Sequence, residues 1–442
     1  MARRILAPGV GMTGLVRQIG RAGALALDDE DHASRAWQPR PATPARRHAV
    51  LRSLIILGIR GVPATHGGFE TFADRLARHL RARGWDVTVY CKGSPTGRRE
   101  EDMWEGVRRI HIPVHARAAC GTIEFDMRAA ADALKRPGTI LTLGYNTGFL
   151  SAYLRLRGRV NFVNMDGLEW KRAKYSAPAR AFLWVNERLA ARSGNTLIAD
   201  HPAIADHLAT RVPPAKTIVI PYGSDRLLDM SAAPLAGFGV EPGGFFTLIA
   251  RPEPENSVLE IVRAFSRKQR GLKLLLLGAY DPRIPYHAAV LSAAGPEVVM
   301  PGAVYDRRVV DALRVHSVAY LHGHQVGGTN PSLVEALGAG NAIIAHDNRF
   351  NRWVAGRAAL YFASEDQISD HINRLVTCEA LRAELRAAAV TRWRAAFTWD
   401  AVLARYEELI ETWSPRRSYA GNPRDQRTLF GDTLFAEQPA HA

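Results

Sequence analysis

Short apolar runs alternate with helical stripes along most of this sequence. The run Leu54 to Leu57 ends at Gly58, which is typical of a buried strand in a parallel sheet. The next segment places Phe69, Phe72, Leu76 and Leu80 on one face of a predicted helix. Further strand candidates are Asp86 to Tyr90, Thr139 to Leu143 and Val160 to Asn164. Repeated strand–helix units predict a doubly wound α/β domain.

The same alternation restarts after a Pro- and Gly-rich stretch at residues 233–244. The new strand candidates are Phe246 to Ala250, Leu274 to Leu277, Ser317 to Leu321 and Ala342 to Ala345, and Pro331 to Leu337 is a predicted helix. We therefore predict two Rossmann-like α/β domains, residues 51–222 and 223–398, followed by a helix over residues 399–414 that is a candidate to cross back to the first domain. Residues 1–50 read as a disordered basic leader and residues 415–442 as a disordered tail.

Composition narrows the class of protein. The chain has 442 residues, of which 47% are hydrophobic, so it is long enough for two or three globular domains. No stretch approaches the roughly 20 apolar residues of a membrane span, so we expect a protein that does not cross a bilayer. Cys91, Cys120 and Cys378 are far apart and lack metal-ligand spacing, which favours free thiols and a cytoplasmic location.

The positive charge is concentrated in the first half of the chain. The net charge is +15, and residues 51–222 carry 26 basic against 15 acidic residues, whereas residues 223–442 carry 24 of each. Such asymmetry is expected when one domain faces an anionic surface or substrate. An anionic membrane surface and a merely solvated, arginine-rich surface are both open interpretations. A nucleic-acid partner is disfavoured, because no recognised motif and no periodic aromatic platform accompany the charge.

Residues 327–340 are the strongest local motif. Thr329 or Asn330 can cap a helix whose first residue is Pro331, and the glycine approach formed by Gly327 and Gly328 leaves backbone N–H groups free to bind phosphate. Glu335 lies one turn further on, where a carboxylate can accept hydrogen bonds from sugar hydroxyls. A capped connector helix explains the same segment equally well.

Three loops that follow predicted strands carry further candidates. Arg251 can pair with a diphosphate, or alternatively with the neighbouring Glu253 or Glu255. Gly67 and Gly68 allow close backbone approach to an anion, or form a plain turn. The segment that begins at Asp166 adds acidic and basic groups to the same edge, because ligands of open α/β sheets bind outside the carboxyl ends of strands.

Five strings in order resemble family 4 of the retaining glycosyltransferases, which have the two-domain GT-B fold. They are G-x-R-G-x-P-x-x-H-G-G-F-E-T from Gly58, D-G-L-E-W-K-R from Asp166, I-P-Y-G-x-D from Ile220, R-x-E-P-E-N from Arg251 and G-G-T-N-P-S-L-x-E-A from Gly327. The match spans roughly residues 54–413. It is most similar to the branch of bacterial rhamnosyltransferase-like enzymes of surface-polysaccharide assembly.

The resemblance implies a division of roles between the domains. The second domain would bind a nucleotide sugar, and the first a glycan or polyprenyl-diphosphate-linked acceptor, without a metal or other cofactor. Arg251, Glu335 and Asp166 are the implied catalytic residues. Donor binding would involve Gly67, Gly68, Arg251, Gly328, Thr329, Asn330, Ser332, Leu333 and Glu335, and acceptor binding His66, Glu169, Lys171 and Arg172.

Two family positions differ in this chain. The first acid of the family's E-x7-E pattern is Gly327 here, and the lysine that accompanies the diphosphate-binding arginine is Asn256. We expect Arg251 and Glu335 to converge on one pocket, with N–H groups of residues 328–332 helping to hold the departing diphosphate. A GT-B-fold nucleotide-sugar epimerase or hydrolase is the alternative enzyme. The resemblance suggests rhamnose as the sugar.

Overall fold

The first lobe is built on an eight-stranded sheet. The computed structural model describes residues 52–64, 67–172 and 175–413. The strand order is β3-β4-β2-β1-β5-β6-β7-β8, and every neighbouring pair is parallel except β3 with β4. The strands are β1 Ser53–Leu57, β2 Asp86–Gly93, β3 Glu100–Trp104, β4 Val107–Pro113, β5 Thr139–Leu143, β6 Asn161–Asn164, β7 Thr196–Ala199 and β8 Thr217–Val219. The helices are α1 Gly68–Ala82, α2 Ala118–Ala133, α3 Phe149–Leu156, α4 Ala177–Ser193 and α5 Pro202–Ala209.

The second lobe has a six-stranded, wholly parallel sheet with the order β11-β10-β9-β12-β13-β14. Its strands are β9 Phe245–Ile249, β10 Lys273–Leu277, β11 Val298–Gly302, β12 Tyr320–His322, β13 Ile343–His346 and β14 Ala359–Phe362. Its helices are α6 Val258–Ser266, α7 Pro285–Ala293, α8 Arg307–His316, α9 Pro331–Ala339, α10 Arg349–Ala355, α11 Glu365–Thr377 and α12 Glu379–Ala396. The predicted fold class, two doubly wound α/β domains, is confirmed.

Strand β1 explains why the apolar runs are continuous. Leu54 and Ile56 belong to one hydrophobic cluster, whereas Ile55 and Leu57 belong to another on the opposite face of the sheet. Helices cover both faces of a parallel sheet, so side chains that point either way must be apolar. Because helices connect successive parallel strands across the faces of the sheet, the carboxyl ends of these strands meet at one edge.

The final described helix, α13 Trp399–Trp413, packs against the first lobe although it follows the second lobe in sequence. Its Trp399, Tyr406 and Ile410 are buried in the cluster that contains Phe72 of α1. The Phe72 and Tyr406 ring centroids are 4.5 Å apart, and the amide of Asn164 donates to the Tyr406 hydroxyl over 2.9 Å. The helix is thus held to the first lobe by apolar burial, by this hydrogen bond and by contacts of Glu407 with His79 and Trp85.

Several sequence expectations fall outside this description. The predicted leader, residues 1–50, and the predicted tail, residues 415–442, lie outside the described residues, as does His66. Across the described ranges, none of the helices combines the length and the apolar content that spanning a membrane requires.

Candidate active site

A cavity of about 530 Å³ lies between the two lobes, at the carboxyl ends of their strands. The first lobe contributes the start of α1 and the loops after β6, β7 and β8, through Gly68, Asp166, Asp200 and Tyr222. The second lobe contributes the loops after β9 and β12 and the starts of α9 and α10, through Arg251, His324, Asn330 and Arg349. Ligand sites of α/β proteins lie at such strand ends, and cavities of this volume hold small molecules.

Arg251 and His324 sit where the strand order of the second sheet reverses. From β9 the chain adds β10 and β11 on one side of the strand, and then β12, β13 and β14 on the opposite side. Arg251 follows β9, His324 follows β12, and both line the cavity. Loops diverge at such a reversal and leave a crevice, so these two residues lie where ligands of open α/β sheets commonly bind.

The Arg251 side chain is exposed and makes no hydrogen bond or ion pair with any described residue. The alternative pairing with Glu255 is not formed, because that carboxylate accepts a 2.8 Å hydrogen bond from Arg172. The Arg251 carbonyl accepts the amide of Asn256 over 2.9 Å. Asn256, where the resemblance leads one to expect a lysine, therefore shapes the loop, and the Arg251 guanidinium pairs with none of the described residues.

Arg172 joins the two lobes. Its guanidinium donates to Glu169 of its own lobe over 2.9 Å and to Glu255 of the second lobe. Burial alone lowers the pKa of Arg172, but the two carboxylates outweigh it and the net shift is upward. Arg172 and Glu169, both predicted to bind acceptor, thus line the cavity as members of an ion-pair network. Lys171 also lines the cavity, with its ammonium 5.4 Å from the Trp170 ring centroid.

The N–H groups at the start of α9 are less available to a phosphate than the sequence predicts. The Thr329 N–H donates to Asp200 Oδ2 over 2.9 Å, and the Ser332 N–H donates to Asn330 Oδ1 over 3.0 Å. Pro331 has no N–H, so two of the four N–H groups of residues 328–332 that a phosphate would use already have protein partners. Gly328 is required for a related reason, since a Cβ built there would overlap the Asp200 carboxylate.

Glu335 does not join Arg251 at the cavity. Its carboxylate accepts a 2.6 Å hydrogen bond from Arg314, whose side chain is only 4% exposed, and it is not among the lining residues. The cause is the helical geometry of α9, because one turn past Pro331 the side chain meets α8 instead of the cleft. The expected convergence of Arg251 and Glu335 on one pocket is not seen.

Three other predicted donor-binding residues also lie off the cavity lining. Leu333 is fully buried in the core, and the Ser332 hydroxyl lies 2.5 Å from the Tyr320 hydroxyl. Gly67 has φ of 100°, and a side chain there would collide with Glu70. These residues shape the helix starts, whereas Gly68, Gly328, Thr329 and Asn330 line the cavity itself.

Asp166 lines the cavity from the first-lobe side. It has φ of 50°, and its N–H donates to the side chain of Asn164 over 3.0 Å, which fixes this left-handed turn at the end of β6. The next residue, Gly167, approaches Gly327 of the second lobe. The strained turn places the Asp166 carboxylate at the cavity wall, opposite the second lobe.

Sequence reasoning missed Asp200, His324 and Tyr222 as cavity residues. Asp200 directly follows β7, and His324 comes two residues after β12, so the rule that ligands bind beyond strand ends was the available signal. Tyr222 lies within the recognised string that begins at Ile220. Burial, with Arg251 and Arg172 nearby, lowers the pKa of His324 to about 3, so this imidazole is neutral at pH 7.

Comparisons with known families cover both lobes. Residues 51–225 match a family described as a domain of unknown function, DUF1972. Residues 258–408 match a family described as glycosyl transferase-like. None of the curated protein sequences compared with the chain matches it.

Solved structures share the two-lobed architecture. Sucrose-phosphate synthase from Thermosynechococcus elongatus has 17% identity and a TM-score of 0.69, covering 82% of this chain and 98% of its own. Anabaena HepE in complex with UDP and glucose has 14% identity and a TM-score of 0.65, covering 82% of this chain and all of its own. The UDP-forming α,α-trehalose-phosphate synthase from Burkholderia xenovorans has 10% identity and a TM-score of 0.62, covering 83% and 100%. These similarities show the fold, which is GT-B.

The fold and the family match of the second lobe define the class together. The protein is a glycosyltransferase with two Rossmann-like lobes that face one another across a cleft.

Proposed function

We propose that this enzyme transfers a sugar from a nucleoside diphosphate donor, held mainly by the second lobe, to a hydroxyl group of an acceptor held by the first lobe. The observation that carries the proposal is the Arg251 guanidinium, which lines the interlobe cavity at the strand-order reversal of the second sheet and pairs with none of the described residues. A guanidinium there can form two parallel hydrogen bonds to a diphosphate. The solved relative HepE contains UDP and glucose, which supports a donor of this chemical class.

The chemistry needs charge stabilisation where the bond breaks. The acceptor oxygen attacks the anomeric carbon while the bond from that carbon to the diphosphate oxygen breaks, and the hydroxyl proton passes to the departing diphosphate. Attack from the face that the diphosphate leaves would retain the anomeric configuration, as the family resemblance implies. Arg251 stabilises the negative charge that develops on the leaving group. The neutral His324 imidazole, beside it, can donate a hydrogen bond without titrating near pH 7.

The first-lobe wall provides the acceptor side. Asp166 can accept a hydrogen bond from the attacking hydroxyl and orient it. Glu335 acts at a distance by pairing with Arg314 and fixing the start of α9. Because side-chain cations can supply the charge for leaving-group stabilisation, we propose transfer that is independent of metal and expect a chelator to leave turnover unchanged.

The particular substrates follow from the branch resemblance. We propose a surface-polysaccharide acceptor carried on a polyprenyl diphosphate and a deoxyhexose donor such as dTDP-rhamnose. A screen of UDP-, GDP- and dTDP-sugars by thermal shift tests the donor, since a ligand at 100 times its Kd stabilises the folded state by about 2.7 kcal/mol. If no nucleotide sugar raises Tm, the proposal fails. Nucleotide release that needs no acceptor would instead identify a hydrolase or epimerase.

To reach a lipid-linked acceptor the enzyme must contact a membrane surface, and α4 has exposed apolar side chains suited to that contact. Phe182, Trp184 and Val185 of this helix are 41%, 41% and 46% exposed. The guanidinium of Arg188 lies 3.3 Å from the Trp184 ring centroid, within the lobe that carries the excess positive charge. Aromatic residues beside cations are suited to the interface of an anionic bilayer.

Liposome sedimentation tests this surface. We expect binding to phosphatidylglycerol-containing vesicles at low salt, weaker binding at high salt, and loss of binding in the double variant Phe182→Ser, Val185→Ser. The matched control is Ile284→Ser, which removes an apolar side chain of similar exposure from the second lobe. No binding to anionic vesicles at low salt would end the membrane proposal while leaving the transferase proposal intact.

A further inference from the structure

Asp200 connects the two lobes through three separate contacts. Its Oδ2 accepts the Thr329 N–H over 2.9 Å, and its backbone carbonyl accepts a short hydrogen bond from the Thr329 hydroxyl. The carboxylate also lies against the Cα of Gly328, where a Cβ would overlap both of its oxygens. Asp200 follows β7 of the first lobe, whereas both partners precede α9 of the second lobe.

The second carboxyl oxygen of Asp200 is in a costly position. Oδ1 is out of contact with solvent and has no hydrogen-bond partner among the described residues. An ionised carboxylate with one oxygen buried and unpaired loses its hydration there without a hydrogen bond to offset the loss. The free energy of burying a protonated carboxyl group is much smaller, and its carbonyl oxygen can still accept the Thr329 N–H.

Of the groups that face Asp200, Asp166 raises the pKa of its carboxyl group, whereas the Thr329 N–H opposes that rise by a smaller amount. Asp166, from the loop after β6, adds a second negative charge, and Tyr406, from α13, is a neutral phenol. Thr329 contributes only its N–H and hydroxyl groups from the α9 side. Burial first, and then Asp166, raise the pKa of Asp200 to about 7. An aspartate exposed by separation of the lobes would instead titrate near 3.9.

We propose that Asp200 is a positioning residue that holds the 327–330 loop against the first lobe in its protonated form, so that closing of the two lobes takes up a proton. The sign follows from linkage, since the closed form binds the proton more tightly. Closure is strongest in acid, weakens as the pH rises from about 4 to about 7, and becomes independent of pH above 7, where the carboxyl is ionised in both forms. The proposal concerns the ligand-free protein and goes beyond the proposed function.

Residue-resolved hydrogen exchange of the ligand-free protein tests it directly, because the Thr329 N–H is itself the interlobe donor. After correction for intrinsic exchange, we expect its protection to fall by about tenfold per pH unit between pH 5 and 7, which is the slope for uptake of one proton. The Ser332 N–H is an internal control, since it donates within its own lobe to Asn330 and should keep constant protection.

Variants of Asp200 distinguish the effect of its proton from the effect of its contact with Thr329. Asp200→Asn keeps an acceptor for Thr329 but cannot titrate, so its protection should not change with pH. Asp200→Ala should leave Thr329 unprotected throughout. Asp225→Asn weakens a different interlobe link, the ion pairs with Arg75 and Arg307, and should retain the wild-type slope. A flat wild-type profile, or an equal slope in Asp200→Asn and wild type, overturns the proposal. Loss of the slope in Asp166→Asn alone would assign the proton to Asp166 and overturn it as well.

Discussion

A single methyl group at position 328 offers the sharpest test of how the lobes meet. Gly328 has no positive φ, so alanine brings no backbone strain, and the whole cost is steric. Its Cβ would overlap the Asp200 carboxylate, which is held by Thr329 and cannot move freely. Overpacking of this kind costs about 1–3 kcal/mol. At about 2–4 °C per kcal/mol for lobes of this size, Gly328→Ala should lower Tm by several degrees in scanning calorimetry.

A double-mutant cycle shows whether the collision is with Asp200. In the Asp200→Ala background the methyl group has room, so the Tm loss caused by Gly328→Ala should largely disappear, with a coupling energy above about 1 kcal/mol. Gly167→Ala is the matched control, because its nearest neighbours would be 3.8 Å away, at ordinary contact distance. Equal Tm losses in the wild-type and Asp200→Ala backgrounds would refute the interlobe contact on which this reasoning depends.

Three further predictions concern charged groups. Arg251→Ala should lower turnover by about 10²–10³-fold, the usual effect of losing one preorganised charge stabiliser, whereas Arg308→Ala, at an 87%-exposed surface site, should stay within about twofold in the same transfer assay. Burial raises the pKa of Asp126 to about 6, so its destabilising effect grows from pH 4 to pH 6, and Asp126→Asn should have a Tm above wild type at pH 7.5 but not at pH 4. Glu335→Ala leaves the buried Arg314 without its closest partner and should lower the free energy of unfolding by about 1–3 kcal/mol, measured by urea denaturation.

The parts of the fold that were predictable are those in which burial dictates residue type. Thr139–Leu143 was predicted with its observed bounds because both faces of a central parallel strand demand apolar side chains. Strand β3, Glu100–Trp104, was missed because it is an antiparallel edge strand with almost every side chain exposed. A polar edge strand protects a sheet from pairing with other chains, but its sequence resembles a loop.

In the candidate site, too, features set by local sequence were predictable and features set by contacts between distant elements were not. The position of Arg251 at the cavity was predictable, since its place just after a strand is a local feature of the sequence. That Glu335 would turn to Arg314 was not predictable, because residues on two different helices decide it. Asp200 is a clearer case, since the carboxylate matters through Gly328 and Thr329, which are more than 120 residues away in the sequence. Pairings between lobes depend on how two separate domains dock, and no local pattern records that docking.

The excess positive charge of the first lobe is not concentrated at the cavity, although a basic domain could have been expected to face an anionic substrate there. At the cavity this lobe presents the carboxyl groups of Asp166, Glu169 and Asp200 together with Lys171 and Arg172, and Arg172 is already paired with two acids. The exposed Arg251 guanidinium belongs instead to the second lobe, although residues 223–442 carry equal numbers of basic and acidic residues. We therefore expect a diphosphate in the cavity to be drawn towards Arg251 rather than towards Arg172, which its two acids already neutralise. We propose that this arrangement orients the donor with its leaving group on the second lobe and its sugar towards the first, which leaves the excess positive charge of the first lobe for contacts outside the cleft.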